Sequence, residues 1–244
     1  MDLKDKVALV TGGSGGIGRA ACLALSREGS HIAVNFNEHR KRAEEVVEEI
    51  QSAEGRAICV KADVSKNTEV NQMTKVIMEE FGHIDVLINN AGVLINQPSI
   101  LDISDADWNR TIDVNLKGTF NCSKSVVPHM IKQRSGRIVN VSSIAGKMGG
   151  TVGVHYSASK AGVIGLTMAL ARELAPYSIT VNAVAPGVVD TELLPLGFKK
   201  RAKASIPLGR IASPEDVADA ILFLIRNGYI TGEVVNVNGG RYMD

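Results

Sequence analysis

A tyrosine and a lysine four residues apart are the side chains in this sequence best suited to proton transfer. The residues from Ala158 to Leu174 are typical of a helix, and on a helix Tyr156 and Lys160 lie on one face. A neighbouring ammonium group favours the phenolate, so we expect the pKa of Tyr156 to fall below its ordinary value of about 10. Such a tyrosine can exchange a proton with a substrate oxygen near neutral pH. Taken alone, the pair also fits a surface lysine beside a tyrosine at a helix start.

Ser143 is a candidate partner for the tyrosine. It follows an apolar β-run that ends at Val141, and it lies thirteen residues before Tyr156. A hydroxyl at that place can donate a second hydrogen bond to the oxygen that the tyrosine serves. The alternative is that Ser143 merely ends a strand.

The elements that must position these residues begin with a glycine-rich turn. Val7–Val10 is a short apolar run, residues 11–18 have the sequence TGGSGGIG, and an apolar helical pattern follows. Strand, turn and helix start together predict a pyrophosphate site, because backbone N–H groups at the positive end of a helix bind phosphate oxygens. Glycine lets the chain turn tightly and lets a ligand approach the backbone. A glycine-rich turn by itself can also be no more than a turn.

Apolar runs and helical patterns alternate along the rest of the chain. Further apolar runs occupy residues 31–36, 57–60, 85–88, 137–141, 179–184 and 234–237. Stripes with helical periodicity separate them, and runs that are apolar throughout are typical of a parallel sheet covered on both faces. We therefore predict an α/β fold with one domain over residues 1–244: a doubly wound, three-layer Rossmann-type fold with about seven parallel strands. Ligand binding is expected at the carboxyl ends of the strands.

Residues 188–207 depart from this alternation. Two prolines and a glycine accompany a basic cluster of Lys199, Lys200, Arg201 and Lys203. An insertion at the carboxyl end of a strand is a natural substrate lid, and we expect one here. The basic cluster also fits a helix face exposed to water.

The composition argues against several classes of function. Hydrophobic residues make up 45% of the 244, and the net charge of +1 (27 Lys and Arg against 26 Asp and Glu) argues against general nucleic-acid binding. The N-terminus lacks the apolar segment of a signal peptide, and no apolar run approaches the roughly 18 residues of a membrane span. Cys22, Cys59 and Cys122 form no CxxC pair, so we predict no metal site and expect free thiols in a reducing cytoplasm.

Taken together, these motifs resemble those of the short-chain dehydrogenase/reductase family. The likeness covers essentially the whole chain. It rests on the turn at residues 11–18, Asp63, the NNAG motif at residues 89–92, Asn115, Ser143, Tyr156 with Lys160, Pro186 with Gly187, and Thr191. Each motif alone is weak evidence for this family, whereas the whole set in this order and spacing is specific to it.

The resemblance implies roles for four catalytic residues. Tyr156 would be the general acid in carbonyl reduction and the base in alcohol oxidation, and Ser143 would polarise the carbonyl. Lys160 would bind the nicotinamide ribose and hold down the pKa of Tyr156. Asn115 would kink its helix and hold a water that links Lys160 to solvent, the alternative being a buried amide with satisfied hydrogen bonds.

The resemblance also implies a nicotinamide dinucleotide cofactor. Asp63 would accept a hydrogen bond from the adenine amino group, and the NNAG motif would lie against the adenosine ribose. The segment after the sixth strand would orient the nicotinamide so that one face delivers hydride. The expected cofactor-binding residues are Gly12, Ser14, Gly15, Gly16, Ile17, Gly18, Asn35, Phe36, Asn37, Asp63, Val64, Asn90, Ala91, Gly92, Tyr156, Lys160, Pro186, Gly187, Val189 and Thr191.

The end of the second strand bears on the choice between NADP and NAD. Family members that use NAD carry an acid there, which accepts a hydrogen bond from the ribose 2′-OH. This sequence has Phe36 followed by Asn37 at that place. Without the acid, a 2′-phosphate is not repelled, and His39, Arg40 and Arg42 are near enough to help bind it.

Two features of the sequence favour NAD instead of NADP. Gly15 stands where similar reductases often have an arginine, and Glu38 is close to the same position. We predict NADP(H), with NAD as the alternative.

Within the family, the sequence is most similar to the 3-oxoacyl-acyl-carrier-protein reductases of fatty acid synthesis. The length, the residues before Ser143 and the C-terminal sequence VNGGRYM carry this likeness. It implies hydride transfer from NADPH to the ketone of a 3-oxoacyl thioester of acyl carrier protein or coenzyme A. In that subgroup two arginines bind the acidic carrier protein. Arg134 matches one, and Tyr177 stands in place of the other, which should weaken the association.

Two alternatives remain at this point. A dehydrogenase of a sugar, polyol or cyclic alcohol would use the same fold and chemistry, and carrier-protein dependence of turnover distinguishes it. A cofactor-binding regulator without catalysis is the second, although the intact catalytic set argues against it. The resemblance further implies a cytoplasmic homotetramer, assembled through the helices of Asn115 and Tyr156 and through the last strand.

Overall fold

One parallel sheet organises the chain. A computed structural model describes residues 1–192 and 202–244. Within these ranges the sheet has seven strands, and every neighbouring pair is parallel, as predicted. The strands are β1 (Val7–Val10), β2 (His31–Phe36), β3 (Ala57–Lys61), β4 (Val86–Asn89), β5 (Gly136–Val141), β6 (Ile179–Pro186) and β7 (Val234–Val237). β6 continues two residues beyond its predicted end, because Ala185 and Pro186 still pair with β7.

Helices cover both faces of the sheet. They are α1 (Gly16–Arg27), α2 (Arg40–Ser52), α3 (Asn67–Phe81), α4 (Asp105–Ile112), α5 (Gly118–Gln133), α6 (Ala145–Met148), α7 (Val154–Leu174) and α8 (Pro214–Arg226), with short 3-10 turns at Ile100–Asp102 and Ala175–Tyr177. Side chains of α1, α2 and α8 pack on one face, and those of α3, α5 and α7 pack on the other. Since both faces are covered, strand residues are buried whichever way they point, which is why the strands are apolar throughout.

The strand order fixes where a ligand can bind. The order is β3-β2-β1-β4-β5-β6-β7, so the chain changes its direction of travel across the sheet between β1 and β4. Connections that leave two neighbouring strands on opposite faces open a crevice at their carboxyl ends. The loops after β1 to β6 and the start of α7 carry most of the predicted site residues, and the fold brings them to that edge.

A wide helical turn interrupts the long helical region predicted between residues 105 and 132. α4 ends at Ile112, Asp113–Lys117 form a π-helical turn, and α5 continues from Gly118. π-helical turns are rare in proteins, and those that do occur are often found at functional sites. The turn contains Asn115, the residue at which a kink is expected.

Part of the expected lid, residues 193–201 with Lys199, Lys200 and Arg201, lies outside the described residues. On either side of that gap, Val188, Ala202 and Ile206 are buried together in a small apolar cluster. Among the helices described, none combines the length and the apolarity needed to cross a membrane.

Candidate active site

A groove of about 880 Å³ lies at the carboxyl ends of the strands. Its walls come from the loops after β1 to β6 and from the start of α7. Nearly all predicted site residues line it: Gly12, Ser14, Gly15, Gly16, Ile17, Asn35, Phe36, Asn37, Asp63, Val64, Asn90, Ala91, Gly92, Ser143, Tyr156, Lys160, Pro186, Gly187, Val189 and Thr191. Gly18 and Asn115 are the two predicted residues that lie behind the walls.

Gly18 contributes close packing beneath the glycine-rich turn. A Cβ atom at Gly18 would lie 2.2 Å from the carbonyl oxygen of Gly12 and 2.5 Å from the side-chain nitrogen of Asn90. Gly12 itself has a φ of 61°, and a Cβ there would lie 3.0 Å from the Cα of Ala91. The turn therefore needs glycine at position 18 for space and at position 12 for both conformation and space.

Thr11 joins the loops that follow β1 and β4. Its Oγ1 accepts hydrogen bonds of 3.0 Å from the backbone N–H groups of Asn90 and Ala91. In return, the side chain of Asn90 donates to the carbonyl oxygens of Thr11 and Gly12, each at 3.0 Å. These bonds give the groove a fixed floor between the two strands.

Asn35 holds the same turn from the side of β2. Its Nδ2 donates to the carbonyl oxygens of Val60 at 3.3 Å and Ala62 at 3.1 Å, and its Oδ1 accepts from the N–H of Gly12 at 3.2 Å. The side chain is buried and its polar atoms face the protein. Asn35 therefore shapes the wall on which a cofactor would lie, and its amide is already engaged.

The start of α1 suits a pyrophosphate group. Within the described residues, no side chain caps the first turn of this helix, and that turn contains no acid. A Cβ at Gly15 would meet no described atom within 4 Å, so the backbone is open to the groove. Exposed N–H groups at the positive end of a helix bind phosphate oxygens, and the residues present therefore fit a dinucleotide.

Tyr156 and Lys160 face the groove from α7. The helix begins at Val154, earlier than expected, so both residues lie in its first two turns. Lys160 Nζ lies 5.8 Å from the centre of the Tyr156 ring and donates a 2.8 Å hydrogen bond to the carbonyl oxygen of Val141. Lys160 is only 5% exposed, and Tyr156 is half-buried.

The expected lowering of the tyrosine pKa is wrong for this structure. Burial raises the pKa of Tyr156 above its usual value of 10.0, and the nearby Ser143 hydroxyl, which can hydrogen-bond to the phenol, offsets only part of the rise. Burial also lowers the pKa of Lys160 to about 8. Desolvation thus outweighs the attraction between an ammonium and a phenolate, and the phenol keeps its proton at neutral pH.

The two serines after β5 have different surroundings. Ser142 is buried, and its Oγ donates a 2.8 Å hydrogen bond to the carbonyl oxygen of Lys160. Ser143 Oγ accepts a 3.1 Å bond from the N–H of Ala145 and remains half-buried at the groove. Because the O–H of Ser142 is engaged within the protein, Ser143 is the better placed of the two to serve a ligand.

Asn115 ties the π-helical turn to both the loop after β4 and α7. Its Nδ2 donates 3.1 Å hydrogen bonds to the carbonyl oxygen of Val93 and to Ser159 Oγ, and its Oδ1 accepts a 2.8 Å bond from the N–H of Val93. A Cβ at Gly92 would lie 3.2 Å from Asn115 Oδ1 and 3.7 Å from Lys160 Nζ. The amide is buried with satisfied hydrogen bonds, and it fixes the backbone beside Lys160.

Comparison with known proteins decides the family. The short chain dehydrogenase family matches residues 6–201, which include the glycine-rich turn, Tyr156 and Lys160. The chain belongs to the short-chain dehydrogenase family. This membership implies a nicotinamide cofactor.

Several short-chain dehydrogenases named 3-oxoacyl-acyl-carrier-protein reductase are similar to this one over its whole length. The reductase of Staphylococcus epidermidis is 45% identical over 244 residues, which cover 98% of this chain and 100% of the relative. That of Synechocystis sp. is 45% identical over 244 residues, which cover 99% of this chain and 98% of the relative. That of Thermotoga maritima is 41% identical over 245 residues, which cover 98% of this chain and 99% of the relative.

Asp63 is held by hydrogen bonds at the end of the groove where this dehydrogenase is predicted to hold adenine. Its Oδ1 accepts from the N–H of Ser65 at 3.0 Å and from Ser65 Oγ at 2.7 Å, and its Oδ2 lies 3.4 Å from Arg110 Nη1. Burial acts to raise the pKa of Asp63, but these contacts outweigh it and hold the pKa below its usual value. The carboxylate is therefore an acceptor at neutral pH.

The basic residues after β2 divide into two groups in this dehydrogenase. His39 and Arg42 line the groove, whereas Arg40 lies outside it and pairs with Glu44 at 2.7 Å. Arg42 pairs with Glu192, which also lines the groove. A guanidinium is thus present near the end of β2, although a carboxylate engages it.

Arg134, the predicted carrier-protein contact, is exposed at the end of α5. Its Nη2 donates a 3.1 Å hydrogen bond to the carbonyl oxygen of Pro176. Tyr177 is the next residue, so the two positions that the resemblance implies for carrier binding are neighbours on the surface of this dehydrogenase.

Proposed function

We propose that this chain is an NADPH-dependent reductase that converts the ketone of a 3-oxoacyl thioester into an alcohol. The observation that carries the proposal is that Ser143, Tyr156 and Lys160 line one groove together with a turn suited to pyrophosphate. Identities of 41–45% over nearly the whole chain to proteins named for this reduction support the choice of substrate.

The residues of this chain act on the ketone oxygen. A nicotinamide dinucleotide bound in the groove supplies hydride to the ketone carbon. Tyr156 donates its phenolic proton to the oxygen, and its raised pKa keeps that proton in place at neutral pH. Ser143 donates a hydrogen bond to the same oxygen as negative charge develops on it. The ketone becomes a hydroxyl, and the tyrosine is left as a phenolate.

Lys160 and Asn115 restore the proton donor. Lys160 is charged below a pH of about 8, so its ammonium stabilises the phenolate that forms during the reaction. Asn115 fixes the loop and the helix on either side of Lys160. The Asn115 amide is itself engaged within the protein, so we infer that a water beside Lys160 carries the replacement proton from solvent without being held by that amide.

NADPH is the form of the cofactor that the described residues favour. β2 ends at Phe36 and is followed by Asn37, so neither residue at the end of this strand brings a carboxylate that would repel a 2′-phosphate, although Glu38 comes next and lines the groove. Arg42 lines the same end of the groove. A guanidinium offers a phosphate both charge and a fork of N–H donors.

The proposal includes two kinds of protein contact. The acidic carrier protein would bind at Arg134. The chain would also form a homotetramer through α4, α5, α7 and β7, and each of these three helices carries a large apolar side chain that is exposed: Trp108 at 41%, Phe120 at 46% and Met168 at 52%. Apolar surface of this kind supports an interface.

Steady-state kinetics test the proposal. The enzyme should oxidise NADPH with the acetoacetyl thioesters of acyl carrier protein and of coenzyme A, and NADPH should be preferred to NADH. Sugars, polyols and cyclic alcohols with NADP⁺ should react more slowly, on the order of 100-fold or more in kcat/KM. A chain that oxidises one of these alcohols and leaves both thioesters untouched is a dehydrogenase of another substrate class, and the proposal fails.

A further inference from the structure

An ion pair reaches across the groove from its two sides. Arg42 lies on α2, Glu192 follows β6, and both paired side chains line the groove. β2 and β6 are four strand spacings apart in the sheet, which is roughly 19 Å at about 4.8 Å per spacing. The pair therefore bridges opposite walls of the groove instead of joining neighbours on one wall.

The bridge passes close to the glycine-rich turn. Thr191 directly precedes Glu192, and a Cβ at Gly16 would lie 3.1 Å from Thr191 Cγ2. The side chains of Arg42 and Glu192 are 48% and 67% exposed, so solutes reach both. A dinucleotide held by the turn would therefore meet this pair.

Arg110, which also lines the groove, has a partner of a different kind. Arg110 pairs with Asp63 at 3.4 Å, and that carboxylate is largely buried and held by further hydrogen bonds from Ser65. Glu192 is mostly exposed and comes from the far wall. The pair of Arg42 with Glu192 is therefore the easier of the two to open.

We propose that Glu192 sets the cofactor selectivity of this chain by competing with the 2′-phosphate of NADPH for Arg42. The inference rests on the proposed function in that a nicotinamide dinucleotide occupies the groove. A guanidinium binds carboxylate and phosphate through the same forked contacts, and a phosphate monoester carries up to about two negative charges against one. NADPH displaces the carboxylate, whereas NADH has a hydroxyl at that place and leaves the pair intact. Glu192 thus reduces the advantage of NADPH and leaves the affinity for NADH unchanged.

Fluorescence titration with NADPH and with NADH tests the proposal on four proteins: the unmodified chain, Glu192→Gln, Arg42→Gln and the double variant. Glu192→Gln should bind NADPH about two- to fivefold more tightly, the range expected for opening an exposed ion pair, with no change for NADH. Arg42→Gln should weaken NADPH binding about tenfold. In the Arg42→Gln background, Glu192→Gln should have no effect, and in about 1 M salt the gain should shrink.

Two variants of α2 serve as matched controls. Lys41→Gln and Glu48→Gln each remove one charge from an exposed residue outside the groove lining, and both should keep the two dissociation constants within about twofold. All four substituted residues are exposed, and thermal unfolding of each variant checks that it folds.

Several results overturn the proposal. They are an equal gain for NADPH and NADH in Glu192→Gln, no gain for either, a gain that persists without Arg42, and undiminished NADPH binding in Arg42→Gln. Because the titrations use no thioester, a chain that shows the expected pattern and reduces no 3-oxoacyl thioester contradicts the proposed function alone. A chain that binds neither dinucleotide contradicts both.

Discussion

Lys160 donates a 2.8 Å hydrogen bond to the carbonyl oxygen of Val141, the last residue of β5. This bond attaches α7 to the strand that leads into Ser143. A single carbonyl does not replace the water that a buried ammonium has lost, which is why burial lowers the pKa of Lys160 to about 8. The burial that comes with the position of Lys160 against β5 therefore also lowers its pKa.

The pH dependence of reduction should report the ionisation of Lys160. Above a pH of about 8 the side chain loses its proton and no longer stabilises the phenolate, so kcat/KM for a 3-oxoacyl thioester should fall as the pH rises from about 8 to 9. The pKa of Tyr156 is raised above 10.0, so its own ionisation acts only at higher pH. Rates measured at constant ionic strength check this, and a kcat/KM that stays level up to about pH 10 contradicts it.

Lys160 should also reduce the stability of the fold at neutral pH. Its pKa is about 8 in the folded chain against 10.5 ordinarily, so between these values the unfolded chain binds more protons and the free energy of unfolding rises with pH. Lys160→Met should raise that free energy at pH 7 by on the order of 1–2 kcal/mol, after the lost hydrogen bond to Val141 is allowed for. The gain should shrink towards pH 10.5. Urea unfolding at pH 7 and at pH 10.5 measures the difference in free energy of unfolding between the variant and the unmodified chain. A Lys160→Met variant that is less stable than the unmodified chain at pH 7 would contradict this prediction.

Two glycines of the turn should respond differently to alanine. Gly18→Ala places a Cβ 2.2 Å from the carbonyl oxygen of Gly12, and it should lower the free energy of unfolding by about 1–3 kcal/mol and weaken dinucleotide binding. Gly15 has an extended backbone with a φ of −168°, and its added Cβ meets no described atom within 4 Å. Gly15→Ala should change the free energy of unfolding by less than about 0.5 kcal/mol. Equal losses in denaturant unfolding would contradict this account of the turn.

The alternation of apolar runs and helical stripes was sufficient to predict the fold. Ala43, Val46 and Ile50 recur with helical periodicity and are the buried residues of α2, and the uninterrupted apolar strands required cover on both faces. Boundaries were less accurate. α7 begins at Val154, directly after Gly153, and not at Ala158 as predicted. Apolar periodicity over a long window does not resolve the exact residue at which a helix begins.

The parts of the site that escaped prediction depend on distances between segments remote in sequence. Ser159 is the partner of Asn115, yet nothing in its own neighbourhood indicates this. Glu192 meets Arg42 only because the sheet brings the loop after β6 over the turn. The pKa of Tyr156 was predicted in the wrong direction because spacing reports a nearby ammonium and does not report burial.

Charge reversal at Arg134 should separate the two thioester substrates. Arg134→Glu repels an acidic carrier protein and should raise KM for an acetoacetyl group on the carrier about tenfold, with kcat/KM for acetoacetyl-coenzyme A unchanged. Lys41→Glu, an equal change of charge on an exposed residue of α2, is the control. If both substrates lose kcat/KM equally in Arg134→Glu, this residue is not a carrier-protein contact.

The central claim is that the phenol of Tyr156 supplies the proton that reduction requires. Steady-state reduction of an acetoacetyl thioester by Tyr156→Phe, with NADPH binding followed by fluorescence in the same preparation, tests it most directly. The account predicts that kcat falls by about 10²–10⁴, while the dissociation constant of NADPH changes by less than about threefold, since the ring remains and only its hydroxyl is lost. A variant that keeps more than about a tenth of the original kcat contradicts the claim.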